Sequence, residues 1–283
     1  MKLAVGTVKF GTNYGLINKK KIYLNEIKKI SKFIHSKINN INLIDTAFSY
    51  GKSHKIIGRT KLNKLKIVTK IRFLSKNKIN YFNKNIDNLL KDLRVNKIYG
   101  LLFHDVKDAI NKSYLKLLLD LKKKKIIKKI GVSIYSPNDL KIILKLWRPD
   151  IVQIPFNIFD QRLVKSGYLD LLKKLKIEIH VRSCFLQGLL VNYDRNKKKF
   201  KKFQKWSDLL ESWSGWCRNN NISKIEACLQ FIKNHKKIDY LVVGFDNLKQ
   251  LKEIIYTLGK KEIKITNKFY SSDLKLIDPR KWN

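Results

Sequence analysis

Leu43-Ile44-Asp45-Thr46-Ala47-Phe48-Ser49-Tyr50-Gly51-Lys52-Ser53 decides how the rest of the chain is read. It begins as a short apolar strand and releases an acid at Asp45. Five residues later it presents Tyr50 in a loop that also holds Gly51 and Ser53. A buried strand that ends in an acid and runs into a permissive loop is where a barrel enzyme places its chemistry. Two later strands end in the same way. Residues 66–69 deliver Lys70, and residues 100–103 deliver His104. A carboxylate, a phenol, an amine and an imidazole therefore stand at, or just beyond, the C-terminal ends of apolar strands.

Outward from this stretch, apolar runs recur at a spacing that suits one strand and one helix each. Strands are expected at 2–8, 41–45, 66–70, 98–104, 130–133, 151–154, 177–181 and 240–243. Most are short and continuously apolar, as strands covered on both faces of a parallel sheet should be. Residues 24–38 repeat apolar positions at helical steps through Leu24, Ile27, Ile30, Phe33, Ile34 and Ile38. Further helices are expected at 82–93, 114–121, from Ser136-Pro137 onward, and at 163–175, 203–213, 223–234 and 248–258. Ser136 before Pro137 is a helix start, and Ser223 with Glu226 three residues on is a capping box. Eight strands alternating with helices, without a domain-sized linker, predict an α/β fold: one (β/α)8 TIM barrel domain over 1–283. Segment 191–221, after the seventh strand, is long, lysine-rich and aromatic (Tyr193, Phe200, Phe203, Trp206, Trp213, Trp216). It is expected to be a loop plus the seventh helix with its rings turned inward; a lid on the substrate side is the alternative.

The 283 residues and 44% hydrophobic content suffice for such a barrel and its core. Cys184, Cys217 and Cys228 form no CxxC pair and suggest free thiols in a reducing compartment. No stretch approaches the roughly 18 apolar residues of a membrane span, and the start lacks the apolar region of a signal peptide, so a cytoplasmic enzyme is expected. The net charge of +40 would attract nucleic acid or an anionic surface. Most of the 62 basic residues are lysines spread along the whole chain, however, together with many Ile and Asn. Arginine, the fork that reads phosphates and base edges, is scarce. No specific nucleic-acid partner and no membrane partner are expected. The scattered histidines suggest no metal site, and phosphate loops of the GxxxxGK or GxGxxG type are absent.

The four strand-end residues make chemical sense as one set. A phenol is too weak an acid at neutral pH, and a nearby ammonium is expected to lower its pKa. A carboxylate keeps that ammonium charged, and an imidazole orients a substrate oxygen. The set protonates an alkoxide forming on a carbonyl. None of these groups supplies a hydride, so a nicotinamide cofactor is implied.

The motifs resemble those of the aldo-keto reductases over nearly the whole chain. The pieces are Gly6-Thr7-Val8-Lys9-Phe10-Gly11, Ile44-Asp45-Thr46-Ala47 with Tyr50-Gly51-Lys52-Ser53, Val68-Thr69-Lys70, and Leu102-Phe103-His104-Asp105. Ile130-Gly131-Val132-Ser133, Val152-Gln153-Ile154-Pro155-Phe156-Asn157 and the stretch from Val243-Gly244 to Glu253 complete the series in order. The resemblance implies an NAD(P)H-dependent reductase of a small carbonyl substrate, with Tyr50 as general acid, Asp45 and Lys70 tuning it, and His104 orienting the carbonyl. It also implies a cofactor, NADPH with NADH as the alternative, extended across the barrel mouth. Gly6, Thr7, Asp45, Ser133, Gln153, Ser183, Leu186, Gly188, Gly244, Asn247, Gln250 and Glu253 would contact it, with Ser133 and Gln153 at the carboxamide.

There are departures from the family pattern. His54 stands where an acid usual follows Ser53. Ser183 falls where many relatives have a tyrosine stacked on the nicotinamide, and Ile134 and Ile254 replace asparagines. Asp246 lies in the stretch expected near a 2′-phosphate, which a carboxylate would repel. Asn13, Tyr14, Phe73, Phe159, Asn157 and Arg182 are candidate substrate walls, together with the C-terminal tail 270–283. A catalytically silent, nicotinamide-binding regulatory module is the alternative reading.

Overall fold

Short strands that are apolar on both faces need cover on both faces, and a closed barrel wrapped in helices supplies it. The computed structural model describes residues 1–36, 41–73 and 78–282. The strands are β1 (Lys2–Gly6), β2 (Ile41–Asp45), β3 (Lys66–Ile71), β4 (Ile98–Phe103), β5 (Ile127–Ser133), β6 (Ile151–Pro155), β7 (Glu178–Arg182) and β8 (Tyr240–Val243). Each pairs in parallel with the next, and β8 pairs with β1 to close the barrel. Ala4, Leu43, Val68, Leu102, Ile151, Tyr240 and Val242 pack together as the barrel interior.

The outer layer holds α1 (Leu24–Ser36), α2 (Lys78–Leu93), α3 (Lys112–Lys123), α4 (Pro137–Leu146), α5 (Tyr168–Lys174), α6 (Ser207–Asn219), α7 (Lys224–Lys233) and α8 (Leu248–Gly259). Their apolar stripes, such as Ile27, Ile30 and Ile34 on α1 and Leu251 and Ile254 on α8, belong to the core between barrel and helices. Ser136 caps α4, accepting from Asp139 N–H while the Asp139 carboxylate accepts from Ser136 N–H.

The departures from the expected boundaries have local causes. β1 ends at Gly6, because Thr7 leads into a helical turn at Val8–Gly11. β5 begins earlier than its apolar run: Lys129 lies at the barrel end, paired with Glu178, so lysines continue the strand. The helix expected at 163–175 is two pieces, Arg162–Lys165 and α5, because Gly167 turns left-handed at φ +72°. The one expected at 203–213 is a 3-10 run over Asp194–Trp206 followed by α6. α1 is described to Ser36, and Ile38 lies outside the described residues.

Tyr193, Phe200, Phe203 and Trp213 of segment 191–221 are buried. Phe203 meets Trp282 of the tail edge-on at 4.9 Å, so this segment and the C-terminus pack on each other. Among the described residues no helix is long and apolar enough to cross a membrane.

Candidate active site

The loop after β2 owes its course to continued pairing with β3. Thr46 N–H donates to Val68 O (2.9 Å) and Phe48 N–H to Lys70 O (3.0 Å). Thr7 gives both its N–H and its hydroxyl to Asp45 O (3.0 and 2.9 Å). Ser53 Oγ donates to Thr7 Oγ1 (2.9 Å) and accepts from Thr46 Oγ1 (3.1 Å). This buried hydroxyl cluster gives Thr46 and Ser53 of the opening stretch their structural task. A turn then carries Tyr50 to the barrel mouth, with Gly51 left-handed at φ +53°. The turn lies directly against Gly11, where an added methyl group would stand 1.8 Å from Tyr50 O.

Lys70 is 1% exposed. Its ammonium donates to both Asp45 carboxylate oxygens (2.7 Å each) and to Thr46 O (2.9 Å), which uses all three of its donors. Gln153 Nε2 donates to the same carboxylate at 2.7 Å. The ammonium lies 5.5 Å from the centre of the Tyr50 ring, and His104 meets that ring edge-on at 6.3 Å. All four strand-end residues thus come together, with Lys70 acting on Tyr50 through space.

The electrostatics correct one expectation. From the sequence, Lys70 is expected to lower the Tyr50 pKa. Instead, burial and then the Asp45 carboxylate raise it well above the usual phenol value, opposed by the Arg182 guanidinium. Desolvation outweighs the ammonium because Asp45 offsets that charge at contact. Lys70 itself is pushed down by burial, against the pull of Asp45. Burial, helped by Lys70, Arg72 and Arg182, takes His104 down to about 3, so its imidazole is neutral at physiological pH. His54 is also neutral, pushed to about 4 by burial and hydrogen-bonded to Thr69 Oγ1 at 2.9 Å. Cys184 lines the cavity as a thiol raised by burial to about 12.

These groups open into a cavity of about 1200 Å³. Gly6, Thr7, Asp45 and Ser133 reach its wall from β1, β2 and β5; Ser183 and Gly188 reach it after β7, and Gly244, Gln250 and Glu253 after β8. Three expected contact residues are not on the wall. Gln153 is wholly buried behind Asp45, which takes its amide N–H. Leu186 points into the core from a left-handed position (φ +46°). Asn247 caps α8, accepting from Gln250 N–H at 2.9 Å. Of the candidate substrate walls, Tyr14 and Arg182 line the cavity. Phe73 instead stacks on Tyr114 at 3.9 Å, Phe159 is core, and Asn157 holds Ser183 O at 3.1 Å. Asn13 is off the wall as well, its side chain accepting from Lys21 N–H.

Three features escaped the sequence reading. Lys9, 237 positions from Asp246, forms an ion pair with it, and both line the cavity. Asp194 accepts from Ser214 (2.7 Å) and Lys224 (2.6 Å), tying the start of the 3-10 run to α6 and α7 along the same wall. Tyr135 stacks with the Arg182 guanidinium, 4.4 Å from its ring centre. One lysine among dozens carries no local signal; only the Gly6–Gly11 motif pointed toward Lys9.

Fold and site together define a barrel with a carboxylate, an ammonium, a phenol and an imidazole gathered at its mouth and a cavity beside them large enough for a ligand beyond a small substrate. The sequence profile described as Aldo/keto reductase family matches residues 2–271, and the chain belongs to that family. Membership makes it an oxidoreductase of the nicotinamide-dependent, carbonyl-reducing class. Among solved structures it is similar to an aldo-keto reductase of Bacillus halodurans in its holo form: 17% identity, 93% of this chain, 88% of that one, TM-score 0.70. It is also similar to a glycerol dehydrogenase of Gluconobacter oxydans: 19% identity, 98% of this chain, 92% of that one, TM-score 0.69. At such identities these two show a shared fold. No curated protein matches the sequence.

Proposed function

We propose that the protein reduces an aldehyde or ketone to an alcohol at Tyr50, with NADPH as the hydride source. The observation that carries this reading is the buried Asp45–Lys70 pair set beside Tyr50 and His104 at the cavity wall. The residues present fit a nicotinamide. Gln153 Oε1 is buried without a hydrogen-bond partner, next to Ser133, its register partner across β5 and β6. An orphaned buried acceptor costs on the order of 1–3 kcal/mol; a carboxamide N–H held at Ser133 would relieve that cost once Gln153 shifts from behind Asp45. Ser133 would hold the carboxamide from the cavity wall, with Gly188, Gly244 and Gln250 along the rest of the nucleotide. A bound reduced nicotinamide supplies the hydride to the carbonyl carbon.

The side chains do the remainder. Neutral His104 directs the carbonyl by an N–H without protonating it. Tyr50 stays protonated across the neutral range and gives its proton to the carbonyl oxygen as that oxygen becomes an alkoxide, a stronger base than a phenolate. Lys70 and Arg182 stabilise the phenolate left behind, and solvent returns the proton. Atoms balance as carbonyl plus hydride plus proton to alcohol. The choice of NADPH follows the family resemblance. Asp246 would oppose a 2′-phosphate, but Lys9 cancels its charge at contact.

The test is fluorescence titration of NADPH and NADH into wild type and Tyr50→Phe, followed by a carbonyl screen. We expect tight NADPH binding in both proteins and a loss of turnover of at least about 100-fold in the variant, within the range for losing a general acid. A near-normal rate in Tyr50→Phe would remove Tyr50 as proton donor. A strong NADH preference would overturn the cofactor choice, and cofactor binding without turnover on any carbonyl would favour the regulatory module.

A further inference from the structure

We infer that Arg182 anchors an anionic group of the substrate, so that the preferred substrates are aldehydes or ketones carrying a carboxylate or a phosphate. This rests on the reductase reading above and names its substrate class.

The chain has nine arginines, and three converge on Tyr135 beside the catalytic groups. Arg162 donates to Tyr135 O at 3.0 Å, while Arg182 and Arg280 lie over its ring at 4.4 and 3.6 Å. Two of the three have a carboxylate of their own. Arg162 holds Asp160 with bonds of 2.8 and 2.7 Å, and Arg280 holds Asp278 through two nitrogens. Arg182 has no carboxylate partner among the described residues. It gives one bond to Ile134 O at 3.1 Å and a long one to Ser183 Oγ at 3.4 Å. A guanidinium has five N–H donors, so three are left.

This half-buried guanidinium lines the catalytic cavity. Its place over the Tyr135 ring and its bond to Ile134 O hold it in advance, and a pre-positioned fork binds a carboxylate or phosphate through two parallel bonds. The cavity does not supply that anion. Of its four carboxylates, Asp45 is held by Lys70, Asp194 by Lys224 and Asp246 by Lys9, while Glu253 lies on α8 after β8 and makes no ion pair with Arg182. Arg182 lines the same cavity as Tyr50, His104 and Lys70, and its charge acts on all three, so an anion on Arg182 faces the space in which the reacting groups stand. The backbone around it is built to hold this position. Phe156 N–H donates to Arg182 O at 3.0 Å, and Ser183 next to it is left-handed at φ +63°.

The test compares kcat/KM for succinic semialdehyde against butanal and for glyceraldehyde 3-phosphate against glyceraldehyde, following nucleotide oxidation. The expected wild-type preference for at least one anionic member is about tenfold or more, the usual scale for charge-assisted hydrogen bonds; which pair shows it separates carboxylate from phosphate. In Arg182→Gln the ratio should fall towards one, and Arg182→Lys should restore part of it. Succinate and succinamide are titrated into the enzyme–NADPH complex of the same proteins, which reads the anchor without turnover. Equal efficiency on charged and neutral aldehydes overturns the inference and leaves the reductase reading standing. So does an unchanged ratio in Arg182→Gln accompanied by weakened nucleotide binding, which would assign Arg182 to the cofactor. Arg182-dependent succinate binding with no aldehyde reduced overturns the reductase reading and keeps the anion site.

Discussion

Lys70 is the residue on which the barrel mouth depends. Its three donors are all spent inside the protein, and its partner Asp45 is as buried as it is. A buried ion pair adds little over a well-packed neutral pair, but deleting one partner strands a charge. Lys70→Met is therefore expected to lower stability by about 3–5 kcal/mol. The double variant Asp45→Asn/Lys70→Met should recover much of that loss. Urea denaturation of the three proteins checks this; a single variant no less stable than the double one would mean that the pair does not hold the mouth together. The four residues could be read from the sequence because Asp45, Lys70 and His104 each close a local apolar run and Tyr50 follows Asp45 in a short motif. The direction in which Tyr50 shifts could not, because it depends on burial and on Asp45 across the loop.

At the scale of elements, the loop that carries Tyr50 is held by a contact between two glycines distant in the chain. Gly51 is left-handed, and a methyl group there would meet Gly11 O at 2.7 Å; a methyl group on Gly11 would meet Tyr50 O at 1.8 Å. Backbone meets backbone on both sides, so no side chain can yield. Gly11→Ala should push the Tyr50 turn outward and reduce kcat by about 100-fold, as expected for a displacement of about 1 Å at a reacting group. Nucleotide binding should survive, because the wall after β7 and β8 is built elsewhere. Single-turnover rates and nucleotide titration on this variant give the result, and an unaltered kcat would show that the turn tolerates the shift. The strands were legible because continuous apolar runs bounded by polar residues have few alternatives. The helix expected at 163–175 was not, since Gly167 interrupts an otherwise sound apolar repeat. The start of β5 was missed because Lys128 and Lys129 interrupt its apolar run, and Lys129 finds Glu178 at the barrel end.

For the whole molecule, charge is the dominant global property. The 62 basic residues face only 22 acidic ones, so most lysines have no carboxylate to pair with. Mutual repulsion of this kind destabilises the compact state and is screened over about 10 Å at 0.1 M salt. Raising sodium chloride from about 10 mM to about 300 mM is expected to raise Tm by several degrees, with the largest gain at the low-salt end. Thermal unfolding followed by circular dichroism tests this. A flat or falling Tm would mean that the lysines stand beyond one another's reach.

By itself the sequence determined the alternation of strands and helices, the closed barrel that follows from it, and the four chemical groups at the strand ends. All of these are written in local periodicity or in short motifs. Only the tertiary structure decided which candidate contact residues face the cavity: Gln153, Leu186 and Asn247 turn away into buried hydrogen bonds, core and a helix cap. It alone joined Lys9 to Asp246 and left Arg182, stacked on Tyr135, without a carboxylate. Desolvation and charge pairing are set by groups that approach from afar along the chain, 25 positions for Asp45 and Lys70 and 237 for Lys9 and Asp246, and no local pattern encodes such distances.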